Sequence, residues 1–77
     1  MTTLYDLKKD EEAIICALHS DGKMKRRLID MGVTPGTKIK LCRRAPLGDP
    51  LEFLIMGYNL SIRAEEAKKI DIERVGK

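Results

Sequence analysis

A chain of 77 residues with 43% hydrophobic and 35% charged side chains reads as one soluble globular domain, near the lower size limit for a single core; this excludes a disordered chain. No apolar run approaches the roughly 20 residues needed to cross a bilayer, and the opening MTTLYDLKKDEE lacks the basic and apolar regions of a secretory signal, so cytoplasmic residence is expected. The net charge of +3 hides a basic middle: Lys23, Lys25, Arg26, Arg27, Lys38, Lys40, Arg43 and Arg44 stand against the single acid Asp30, while acids outnumber bases in the rest.

Thr3 to Leu7 suits one helical turn, with Thr3 as N-cap and Leu4 and Leu7 directed into a core. Ala13 to Leu18 is apolar at every position, and its length and Ile-Ile pair favour a strand buried on much of both sides. His19 to Gly22 turns the chain, with Ser20 or Asp21 available to cap the next helix. That helix starts at Lys23 and carries Met24, Leu28 and Met31 at i, i+4 and i+7. Gly32 stands where a left-handed residue ends a helix. Pro35-Gly36 marks a turn, since Pro presets φ and Gly accepts a positive φ.

Thr37 to Arg44 follows as a strand with Ile39 and Leu41 on one face and Lys38, Lys40 and Cys42 on the other. Ala45 to Pro50 is a loop by its Pro and Gly content. Leu51–Met56 and Asn59–Arg63 flank Gly57-Tyr58, a pair suited to a type II′ turn. That turn would set Ile55 opposite Leu60 and Phe53 opposite Ile62, so all four share an apolar face. Leu54 and Met56 fall on the other face, where polar residues are expected. Ala64 to Ala67 supplies a helical turn, and Ile70 to Val75 a last strand with Ile70 and Ile72 inward. Five short strands left flat would expose an apolar face and long edges, so a small, partly open barrel is the expected closure.

Chemistry-bearing patterns are sparse. Ferrous iron prefers imidazole, carboxylate or thiolate groups converging on one point. The one histidine, His19, and the two cysteines, Cys16 and Cys42, lack that spacing, and both cysteines are expected to be reduced and buried. No metal site and no cofactor is expected. Neither a nucleophile–base pair nor a phosphate loop is present in the pattern, so the chain is not expected to be an enzyme.

The run Lys25-Arg26-Arg27-Leu28, Met31-Gly32, Pro35-Gly36-Thr37, Ala45-Pro46-Leu47-Gly48-Asp49-Pro50, then Gly57, Leu60, Arg63 and Glu66-Ala67 resembles the ferrous iron transport protein A (FeoA) family. The resemblance spans nearly the whole chain. It implies a mainly β fold: a small SH3-like five-stranded β-barrel with one short α-helix and helical turns, one domain over residues 1–77. It also implies a cytoplasmic accessory or regulatory role in ferrous iron uptake. Such a protein would act by protein–protein contact with the membrane ferrous iron permease FeoB and its GTPase domain, and meet the membrane only through that partner.

The basic middle then has two competing uses. A small basic barrel can bind nucleic acid, but that needs stacking aromatics, and of Tyr5, Phe53 and Tyr58 the register turns Phe53 inward. Docking on an acidic protein needs no such platform. Cations in the first turns of the helix oppose the macrodipole, which suggests a further demand on those positions. The expected partner-facing residues are Lys25, Arg26, Arg27, Arg43, Arg44, Leu47 and Asp49, with no nucleic acid partner. Cys42, Leu54 and Met56 form a candidate self-association patch, for a monomer or weak homodimer. Reversing Arg26 and Arg27 to Glu is expected to leave the fold intact.

Overall fold

Alternation of apolar and polar side chains sets the strands. The computed structural model describes residues 2–75, so the ends of the expected domain, Met1, Gly76 and Lys77, lie outside the described residues. A 3-10 turn at Leu4–Asp6 leads to β1 (Glu12–Leu18), α1 (Gly22–Asp30), β2 (Lys38–Arg44), β3 (Leu51–Ile55), β4 (Tyr58–Ile62), α2 (Ala64–Ala67) and β5 (Ile70–Arg74). The strands form one antiparallel sheet in the order β4-β3-β2-β1-β5. The fold is mainly β, as expected. Ile39, Leu41, Phe53, Ile55, Leu60, Ile62, Ile70 and Ile72, all expected inward, are all buried.

The sheet is not closed into a barrel. Its edges are β4 and β5, and among the described residues no ladder joins them. Plugs cover the apolar face instead: Leu4 and Leu7 from the 3-10 turn, Leu28 from α1, Val33 and Ala67 of α2 share one buried cluster with the sheet residues. Burial by these side chains removes the need for a closing ladder. The β5 edge is further occupied by the N-terminal segment, through the Thr3–Asp71 bridge and the Ile72 N–H bound to Thr2 O at 2.9 Å.

The β3–β4 register differs from expectation by two residues. Phe53 faces Leu60, Leu51 faces Ile62 and Ile55 faces Tyr58, so the turn residues are Met56 and Gly57. Both have positive φ, 48° and 84°, which is the type I′ pattern and not II′. A shift of two preserves every face. It also sets buried Leu51 against buried Ile62, adding an apolar pair to the ladder.

Strand β1 is buried on one face through Ala13 and Ile15, and not on both. Cys16 is exposed and Cys42 half-buried, both as free thiols, which corrects the expectation of two buried cysteines. The register steps past Cys16 between Ile15 and Ala17, and past Cys42 between Leu41 and Arg43. Each cysteine is thus the extra residue of a β-bulge, where pairing is lost and the side chain is re-aimed.

Candidate docking surface

Helix α1 is positioned by its apolar side. Leu28 is buried, with Met24 and Met31 packed against the core. The C-terminus closes in a Schellman motif: Gly32 N–H donates to Ile29 O and Val33 N–H to Leu28 O, each at 2.9 Å. Gly32 holds φ at +95°, and the paired apolar residues Leu28 and Val33 are both buried. Asp21 occupies the N-cap position, but its side chain makes no capping bond. Ser20, the other expected cap, is buried with its hydroxyl unpartnered among the described residues.

The five expected docking cations are divided by their internal bonds. Arg27 Nη2 donates to Glu66 Oε2 at 2.9 Å, and Arg43 Nε donates to Glu52 Oε1 at 2.9 Å. Arg44 Nη2 donates to the carbonyls of Tyr5 (2.5 Å) and Leu7 (2.9 Å), with its guanidinium 4.9 Å from the Tyr5 ring centre. Lys68 Nζ lies 4.7 Å from the same ring. Arg27 and Arg44 tie separate elements of the fold together, while the Arg43–Glu52 pair is an exposed contact between neighbouring strands. Arg26 and Lys25 make no ion pair among the described residues, and Arg26 does not close on Asp30 one turn away.

The Ala45–Pro50 loop is closed by two backbone bonds, Ala45 N–H to Pro50 O (3.0 Å) and Gly48 N–H to Ala45 O (2.7 Å). It presents Leu47, 97% exposed. Asp49 is turned to a structural task, accepting the Ala64 N–H at the start of α2 through Oδ1 at 2.9 Å. Helix α2 therefore anchors both candidate surfaces: Ala64 holds the loop and Glu66 holds α1.

At the far end of the hairpin, Leu54 (37% exposed) and Met56 (66% exposed) face outward as expected. Cys42 Sγ lies 4.0 Å from Asn59 Oδ1, and Asn59 is the residue facing Leu54 across the hairpin. Cys42 and Leu54 thus both adjoin Asn59, and Leu54 and Met56 line one shallow hollow. Met56 has a second contact, because its thioether lies over Gly32, while the Tyr58 hydroxyl donates to Met31 O. The hairpin tip is thus fastened to the C-terminus of α1.

Among the described residues, no three His, Cys, Asp or Glu side chains gather where a metal ion could be held. His19 Nε2 lies 2.6 Å from Oδ2 of the largely buried Asp71, a pair and not a ligand set. The family model described as the FeoA domain matches residues 2–74. The chain belongs to the FeoA domain family.

A FeoA/FeoB fusion protein from Porphyromonas gingivalis, described as Fe(2+) transport protein A joined to Fe(2+) transporter FeoB, is 36% identical over 72 residues. Those residues are 94% of this chain and 8% of the fusion protein, so the chain spans a small fraction of that relative. The solution structure of the FeoA protein from Chlorobium tepidum is 35% identical, with a TM-score of 0.93, over 97% of this chain and 71% of that one. The Stenotrophomonas maltophilia FeoA, solved with zinc and described as a prokaryotic SH3 domain protein, is 25% identical with a TM-score of 0.79, covering 95% and 91% of the two chains. The FeoA family and its SH3-like fold thus agree with the residues that carried the resemblance.

Sequence reasoning missed Glu66 as the residue that organises this FeoA surface. It is 3% exposed, accepting from Arg27 through Oε2 and from the Arg63 N–H through Oε1 at 3.2 Å. A signal existed: an acid at the third position of a helix can reach back to the N-cap N–H. Nothing in the linear pattern pointed from Glu66 to Arg27, 39 residues earlier.

Proposed function

We propose that this FeoA domain is a cytoplasmic accessory module of ferrous iron uptake, docking on the membrane permease FeoB and its GTPase domain. The carrying observation is the Porphyromonas gingivalis relative, in which a matching segment and FeoB share one chain. Covalent fusion holds two modules at high effective concentration, which is useful where they act in contact. Among the described residues no helix is long and apolar enough to cross a membrane. Arg26, Lys25 and Leu47 are the partner-facing residues, with Arg27, Arg43, Arg44 and Asp49 beside them engaged in internal bonds.

Nucleic acid binding has less support. Phe53 is buried, Tyr5 is occupied by Arg44 and Lys68, and the Tyr58 hydroxyl is bonded to Met31. Stacking aromatics are what such a site requires. Pull-down from native membranes tests the proposal. Retention of the ferrous iron permease is expected, and retention of nucleic acid in its place would reject it.

A further inference from the structure

Internal charge pairing leaves one side of α1 unclaimed. Gly22, Lys25, Arg26, Ile29 and Asp30 recur at spacings of three and four, one helical stripe, and line a shallow concavity of about 450 Å³. Ile29 is 40% exposed at its centre. Gly22 leaves one end open, since a Cβ there would meet nothing within 4 Å. Cations in the first half of the helix oppose the macrodipole, and the nearest acid at that end is Asp21, at the N-cap without a capping bond.

We propose that this stripe receives an acidic protein segment, with carboxylates on Lys25 and Arg26 and an apolar side chain on Ile29. The inference rests on the partner-docking reading above and names the surface and chemistry it would use. Charge complementarity selects the occupant. Two cations with no ion pair among the described residues, beside an exposed Ile, match a segment mixing acids with an apolar anchor. Asp30 sits in the same concavity and repels a continuous row of phosphates, but it can accept a backbone or side-chain N–H from a peptide. A lipid-binding cluster gathers about 4–8 bases, more than this stripe carries.

The test is an NMR titration of the whole chain with a synthetic amphipathic Glu/Leu peptide, beside membrane retention of the permease. Shifts should centre on Gly22 and Lys25–Asp30. Lys25→Gln with Arg26→Gln should weaken peptide binding and permease retention by about tenfold or more. Lys9→Gln with Lys69→Gln, which removes equal charge elsewhere, should leave both unchanged. Shifts centred on another face, or equal loss in the control variant, overturn the proposal. So does tighter binding of duplex DNA or phosphatidylserine vesicles at the same residues. If the peptide binds at α1 but wild-type protein retains no permease, the docking function fails while the surface chemistry stands.

Discussion

Arg27 and Glu66 form an ion pair at 2.9 Å in which the carboxylate is buried and the guanidinium half exposed. This pair ties α1 to α2, so Arg27 belongs to the framework of the surface. Removing it leaves Glu66, among the described residues, with only the Arg63 N–H. Arg27→Ala should cost about 1–3 kcal/mol, the range for stranding a buried acceptor. Arg27→Glu should cost more, by setting two carboxylates together, which corrects the expectation that reversing both arginines spares the fold. Arg26→Glu alone should stay within about 0.5 kcal/mol of wild type. Urea unfolding of the single variants measures this, and equal stability of Arg27→Ala and wild type would contradict the assignment.

Gly32 meets two demands. Its φ of +95° is left-handed, and a Cβ there would stand 2.8 Å from Met56 Cε. That clash is with the end of a flexible side chain and is easily relieved. The left-handed backbone is not, so Gly32→Ala should lose about 1–2 kcal/mol. Combining it with Met56→Ala should recover little of that loss. Full recovery in the double variant, read from thermal melts, would show that the clash outweighs the backbone strain.

The cluster of Cys42, Leu54 and Met56 is small, and part of Met56 is committed to Gly32. Weak dimerisation through Leu54 is the expected outcome, because grouped exposed apolar residues mark contacts. Sedimentation at rising concentration should show a dimer fraction that Leu54→Glu abolishes. A monomer at every concentration would remove this patch as a self-contact.

Two carboxylates near the N-terminus titrate below their usual values. Asp6 is lowered chiefly by the Thr3 N–H bonded to it, and Glu11 chiefly by the Lys8 N–H, with Arg74 adding to both. A depressed pKa in the fold favours the folded state above the usual values of 3.8 and 4.5, and that contribution fades as pH falls through the folded values. Acidification from about pH 5 towards about pH 2 should therefore loosen the Thr3–Glu11 segment. Amide protection at Thr3 and Lys8, the exchange rate taken relative to that of an unstructured peptide at the same pH, should fall over that interval, and unchanged protection would contradict the linkage.

Which side chains point inward was legible in the sequence, because a strand alternates with period two and a helix repeats in three and four. Those rules placed Phe53, Ile39 and Leu28 in the core, and Gly32 and Gly36 at turns that need positive φ. The same parity concealed the hairpin register, since a slip of two residues moves no side chain to the other face. Only the turn decided it, with Met56 accepting a left-handed backbone before Gly57. Bulges were also hidden. One extra residue at Cys16 and at Cys42 re-aims a thiol without altering composition or the flanking apolar pattern. The basic middle was plain as a charge count, but which cations remain free depended on contacts across the fold. Arg27 meets Glu66, Arg44 meets the carbonyls of Tyr5 and Leu7, and Asp49 meets Ala64. Each joins residues far apart in the chain, and hydrogen bonds and ion pairs act over a few ångströms of space with no regard to sequence distance.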